Sequence, residues 1–319
     1  MHQGSDPELV VSWVPQLGLD LAFRLDTLSW FLALIVGGVG ALVLVYCAGY
    51  FADDAAGLGR FGGVFTGFAG AMLGLVTADD LLLLFVFWEL TSVFSYLLIG
   101  HAAGRRAARR AALQALLVTT AGGLAMLAGL IMLGEAAGTY RIGELIAHPP
   151  QPTTGVAVAL VLLLAGAVTK SALVPVHFWL PSAMAAPTPV SAYLHAAAMV
   201  KAGVYLVARF APAFAEVGVW RVVVLGLGSA SLLLGGWSAL RQYDLKLILE
   251  FGTVSQLGLL VVLVGDGSEA AALAGLALLG AHAMFKASLF LIAGAIDATT
   301  GTRDLRELGG RGLLRRMPL

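Results

Sequence analysis

Seven ionisable side chains stand inside apolar runs of this sequence or at their edges. Glu89 lies in LLLLFVFWELTSVFSYLLIG, and Lys170 near the end of a run that closes as VTKSALVP. His195 and Lys201 share SAYLHAAAMVKAGVYL, Lys246 sits in DLKLILEFG, and His282 and Lys286 sit in GAHAMFKASLFL. Charge at such depth is costly, so these groups are expected to face a protein interior or a wet cavity and to handle ions or protons. Histidine titrates near neutral pH. A buried lysine can release its proton, whereas an arginine cannot. The four lysines of the chain are all of this kind, while most of the fifteen arginines lie between the runs. Arginine outside and lysine inside fits groups that must titrate. The alternative is that lysine simply costs less to desolvate.

Each candidate has a plainer reading beside the chemical one. A lone carboxyl at the depth of Glu89 would have to be neutral, and a nearby cation would restore its charge. Its plainer role is one structural hydrogen bond. Lys170 could be a snorkelling side chain at a helix end, but Pro175 interrupts the run five residues later. Broken backbone at depth implies a polar surround. His195 and Lys201 are six apart and do not share a stripe, whereas His282 and Lys286 are four apart and do. His195 alone could be a hydrogen-bonded packing histidine. Lys246 could be a helix-edge residue pairing locally with Glu250 at i+4, or a link from the aqueous edge to the other groups. His177 and Trp179, in the interrupted piece, could mark only an interface.

The elements that must position these groups are membrane helices. The chain has 319 residues, 59% of them hydrophobic and 12% charged, against about 25% charged in soluble domains. Nine apolar segments recur at about 26–51, 61–78, 80–100, 111–134, 155–174, 190–210, 218–240, 246–264 and 270–296. The fifth is followed by a broken piece that closes at Pro187 and Pro189. At about 1.5 Å per residue each is near bilayer length. The alternation of a barrel is absent. The expected fold is therefore all-α, a polytopic bundle over 26–296, with an extramembrane segment at 1–25 and an Arg-rich tail at 297–319. The net charge of zero points to no nucleic-acid partner. The single cysteine, Cys47, excludes a disulfide framework and CxxC sites, and no cofactor or metal motif is present.

Loop charge sets orientation. Arg105, Arg106, Arg109 and Arg110, Arg241, and Arg303, Arg306, Arg311, Arg315 and Arg316 fall on one side. Asp79, Asp80, Glu135, Glu144, Glu216, Asp266 and Glu269 fall on the other. The positive-inside rule then predicts an outer N-terminus and a cytoplasmic C-terminus. Gly63 with Gly67 and Gly70 with Gly74 predict close helix contact, with further glycine pairs at 122–123 and 235–236. Trp13, Trp30, Trp179 and Trp220 lie near run ends and are expected at the interface.

Four motifs in order carry a family resemblance: FVFWELTSVFSYLLIG, the stretch from Thr169 to Arg209, DLKLILEFGTVSQLG and HAMFKASLFLIAGAI. They resemble the antiporter-like subunits shared by complex I and Mrp-type cation/proton antiporters. HFWLPSAMAAPTPVSAYLH followed by MVKAGVYL is most similar to the A subunit of Mrp antiporters, and RDLRELGG also fits. The complex I L subunit usually has a non-basic residue where Lys201 stands. The resemblance implies inverted helix repeats with broken helices. It also implies a Glu89–Lys170 pair and a polar axis through His195, Lys246, His282 and Lys286. It further implies small membrane subunits as partners, protons and sodium or another monovalent cation as substrates, and a bacterial inner membrane. Two other function classes stand beside it: the proton-pumping subunit of a redox complex, whose cofactors would belong to partners, and a structural membrane subunit with residual charges. Family members begin with about two more helices and continue past Leu319, so the chain is expected to hold the first repeat and part of the second.

Overall fold

The computed structural model describes residues 6–14, 19–51, 57–102 and 104–308. Arg311, Arg315 and Arg316 lie outside the described residues, as does the side chain of Trp13. The chain opens with a hairpin, β1 (Glu8–Val14) antiparallel to β2 (Leu19–Arg24). This pair falls in the stretch that the sequence marks only as extramembrane. Helices follow: α1 (Thr27–Tyr50), α2 (Leu58–Thr77), α3 (Leu81–Ile99), α4 (Arg106–Ala137), the short α5 (Ile142–Ala147) and α6 (Thr154–Lys170). After an interruption come α7 (Trp179–Ser182), a 3-10 turn at Ala183–Ala185, α8 (Thr188–Ser191) and a π-helical turn at Ala192–Ala197. The chain then continues through α9 (Lys201–Phe214), α10 (Gly218–Ala239), α11 (Leu245–Gly265), α12 (Glu269–Thr300) and α13 (Leu305–Leu308).

All nine apolar segments coincide with helical elements. Among the described residues, eight helical stretches are long and apolar enough to cross a membrane, taking Thr188–Phe214 as one. The ninth, α6, is shorter and hands over to the interrupted piece. Side-chain oxygens set the starts of several helices by capping exposed N–H groups. Asp26 accepts from Ser29 N at 2.9 Å, Asp80 accepts from Leu82 N and Leu83 N at 2.9 Å, and Asp244 accepts from Lys246 N at 2.8 Å. Asp26 also grips Arg209 on α9. Burial pushes its carboxyl up, but the hydrogen bond and charge of Arg209 prevail and hold it at about 2. The hairpin seats on the α2–α3 turn through Asp79 N to Ala22 O at 2.8 Å.

The stretch from α8 through α9 is a central rod with every residue of its apolar window buried. Helices α1, α2, α6, α11 and α12 surround it. Burial of apolar surface from water does not drive helix pairing within lipid, so close backbone approach carries the weight. A Cβ at Gly235 of α10 would stand 2.6 Å from Ser255 N, and one at Gly258 of α11 would stand 2.6 Å from Leu232 N. The expected stripe on α2 is half present. Gly67 packs under Phe94 and Gly74 under Phe87, while Gly63 and Gly70 meet nothing.

Three expectations need correction. The fifth run breaks after Lys170, where α6 ends with Ser171 as its cap, rather than at Pro175. A residue before proline avoids helical backbone, and Ala172 adds a left-handed φ of 49°. The segment 190–210 is not continuous, being interrupted between Ala197 and Lys201. Trp179 and Trp220 are fully buried, each with its indole N–H donated at 2.9 Å, to Thr169 O and Gly265 O respectively. An indole with a carbonyl partner inside the bundle has no need of the interface. Trp30, about half exposed, fits the interfacial expectation.

Candidate functional site

Glu89 and Lys170 stand on α3 and α6 and are not in direct ion-pair contact. Glu89 is half-buried. Its Oε2 accepts from Thr120 Oγ1 of α4 at 3.0 Å, while its buried Oε1 has no hydrogen-bond partner among the described residues. Gly123, one turn further along α4, leaves room for that oxygen, and a methyl there would collide with it. Lys170 is fully buried. Its Nζ donates to Trp88 O at 2.9 Å and Ser92 Oγ at 2.7 Å, and lies 5.0 Å from the centre of the Trp88 ring. Snorkelling is thereby excluded, because the ammonium points into α3. Trp88 precedes Glu89, so the lysine grips the same turn that carries the carboxyl.

The break after Lys170 is held by polar side chains. Ser171 Oγ donates to Val200 O at 2.7 Å, and Val174 N donates to Ser231 Oγ at 2.9 Å. Val200 is itself in the second break, so one hydroxyl joins both interruptions. Freed backbone groups at depth require such partners. Trp179 spans from here to the next group. Its indole holds Thr169 O and its ring stands edge-on to His195 at 6.3 Å.

His195, Lys201, His282 and Lys286 converge around the second break. Lys201 opens α9. Its Nζ donates back to Ala196 O and lies 3.1 Å from His282 Nδ1. His282 and Lys286 do share one face of α12, and Lys286 Nζ donates to Leu249 O on α11 at 3.1 Å. His195, Lys201 and His282 are buried to within 1%. His195 lies on the π-helical turn. Neither of its ring nitrogens makes a hydrogen bond among the described residues, and Nδ1 stands 3.5 Å from Glu250 Oε1.

Lys246 lies at the Arg-rich end. Its Nζ donates to Ala186 O at 3.1 Å, and it lines a cleft of about 340 Å³ together with His101, Arg105 and Arg303. The local pairing with Glu250 that its plainer reading offered is not made. Glu250 turns inward instead, fully buried. This is the residue that spacing conceals. As an i+4 partner of Lys246 it looks like a helix edge, but its place six residues into an apolar helix is the signal of depth. Two groups therefore emerge, one around Glu89 and Lys170 and one around Lys201 and His282, with Trp179 and Ser171 between them.

Residues 78–319 match the family described as NADH:quinone oxidoreductase/Mrp antiporter, and residues 12–61 match the complex I chain 5 N-terminus. The A subunit of a Na(+)/H(+) antiporter of Alkalihalophilus pseudofirmus is 46% identical, over 96% of this chain and 40% of that protein. The A/B subunit of a probable K(+)/H(+) antiporter of Rhizobium meliloti is 48% identical, over 94% of this chain and 30% of that protein. The chain thus spans well under half the length of these relatives. Among solved structures, the Mrp complex from a Dietzia species superposes with TM-score 0.89 at 44% identity, covering 93% of this chain and 33% of that chain. Respiratory complex I from Thermus thermophilus gives 0.80 at 30% identity, covering 93% and 62%. The match over most of its length makes this chain a member of the NADH:quinone oxidoreductase/Mrp antiporter transmembrane family.

Proposed function

We propose that the chain forms part of the ion-translocating core of a multi-subunit monovalent cation/proton antiporter, acting with other small membrane subunits. It would lie in a bacterial cell membrane with the hairpin side outside and the Arg-rich side in the cytoplasm. The observation that carries the reading is the buried contact between Lys201 Nζ and His282 Nδ1 at 3.1 Å. An ammonium against an imidazole nitrogen can share one proton, with the lysine as donor and the neutral ring as acceptor. Lys286, on the face of α12 that carries His282, and Lys246 at the Arg-rich cleft extend this line toward the cytoplasmic edge. Glu89 and Lys170 begin it on the other flank. Movement of the Glu89 carboxylate toward or away from Lys170 would change the cost of keeping the lysine charged. The relatives are named for sodium or potassium exchange, and the coupling ion is expected to be one of these. The likeness to complex I supports a second reading, a proton-pumping subunit driven by redox partners.

Lys170→Arg in the full-length protein, assembled with its partners in everted vesicles, tests the reading. A guanidinium keeps the charge but does not release the proton. Cation-dependent proton flux should fall about a hundredfold, the scale of one proton-transfer group. Wild-type flux in the intact complex would reduce Lys170 to a fixed charge. Flux that needs a quinone or another redox partner, and no cation, would favour the second reading.

A further inference from the structure

We infer that Glu250 is a second intramembrane carboxylate of the pathway, exchanging a proton with His195. This deepens the antiporter reading and rests on it. Glu250 is fully buried, and neither of its oxygens has a hydrogen-bond partner among the described residues. The same holds for both nitrogens of His195, also fully buried. Buried polar atoms in folded proteins are nearly always hydrogen-bonded, and those that are not need a reason. Four such atoms belong to these two neighbouring side chains, with Nδ1 and Oε1 3.5 Å apart. That is about 0.5 Å beyond a hydrogen bond. A purely structural carboxylate would be stapled by donors. This one is left free to take and lose a partner.

The surroundings give it two cationic neighbours besides His195. Lys286 on α12 is held to Leu249 O, the carbonyl of the residue directly before Glu250. Gly252 keeps the space beside that ammonium open, since a Cβ there would stand 3.2 Å from Nζ. Lys246 lies one turn earlier on α11 and is held to Ala186 O. Lys201 on α9 is committed to Ala196 O and His282. Helix α7 carries no charged residue, and α10 carries only Arg221, which pairs with Glu216. The transfer is simple in its balance. A protonated His195 gives its Nδ1 proton to the Glu250 carboxylate, which leaves a neutral ring and a neutral carboxyl. The reverse step restores the pair. His195 stands on the π-helical turn Ala192–Ala197, an element often found at functional sites.

The test uses the full-length protein in its assembled complex, in everted vesicles, with assembly checked on native gels. Glu250→Gln keeps shape and loses the proton site, and cation/proton exchange is expected to fall about a hundredfold. Glu250→Asp keeps a carboxyl and should restore part of the flux with a displaced pH optimum. Wild-type rate and pH profile in Glu250→Gln would overturn the assignment. Where the glutamine variant does not assemble, His195→Gln with wild-type rate and pH profile overturns the exchange equally. Lys170→Arg measured alongside separates the two claims. Its retention of flux sinks the relay as a whole, whereas its loss beside a fully active Glu250→Gln sinks only the role of Glu250.

Discussion

Gly123 does for Glu89 what no polar residue could do. It stands on α4 where a single methyl would occupy the position of Glu89 Oε1. Thr120, one turn away, supplies the donor for the other oxygen at 3.0 Å. Gly123→Ala should therefore push the carboxyl away from its place while leaving the helix itself a better helix former. Flux in the assembled complex is expected to fall about tenfold, as a step that depends on carboxyl position would. Gly70→Ala, whose methyl meets nothing, is the control. Equal flux in the two variants would show that the position of Glu89 is not critical. At this scale the sequence is informative wherever a charge stands alone in an apolar run. Glu89, Lys170 and the His282–Lys286 face are readable from depth and spacing. Glu250 is not, because a lysine one turn away offers it an ordinary surface partner. Trp179 and Trp220 sit near run ends and pass for interface anchors, because the burial of an indole depends on neighbours that spacing cannot show.

The two interrupted segments show what elements add. The first break announces itself through Pro175, although α6 ends five residues earlier at Lys170, with Ser171 as its cap. The second carries neither proline nor glycine at Ala198–Val200, so nothing local marks it. It persists because distant groups bind the loosened backbone. Ser171 Oγ holds Val200 O at 2.7 Å, and the Lys201 ammonium holds Ala196 O. Tertiary partners override helix propensity in such a case. Ser171→Ala should leave a buried carbonyl without its donor, at a cost of about 1–3 kcal/mol. The expected outcome is a lower melting temperature of the complex together with altered flux, since the same bond ties Lys170's end to Lys201's start. Unchanged melting and unchanged flux would mean that the two breaks are not joined through this hydroxyl.

At the scale of the whole molecule, orientation decides which end of the polar line meets which solution. The Arg-rich ends of α4, α11 and α12 fall on one side, with the Lys246 cleft among them. The hairpin, Asp79 and the Asp26–Arg209 contact fall on the other. Helix α4 is the best ruler. Its 32 residues reach about 48 Å, more than a bilayer core of about 30 Å, so its two ends must emerge on opposite faces if it spans. Gly104 lies just before it and is exposed, and Ala136 lies in its last turn and is exposed. The residue that caps α4, Gly138, has a φ of 71° that would strain a cysteine, so the reporter at this end stands at Ala136. Cys47→Ser removes the one cysteine of this sequence, and each reporter cysteine is then introduced singly. A membrane-impermeant thiol reagent should label Ala136→Cys in right-side-out vesicles and Gly104→Cys only after permeabilisation. The positive-inside rule requires this order. Labelling of both from one side would overturn the crossing of α4. The reverse order would turn the Lys246 cleft to the outside, and the relay would then run from the opposite solution.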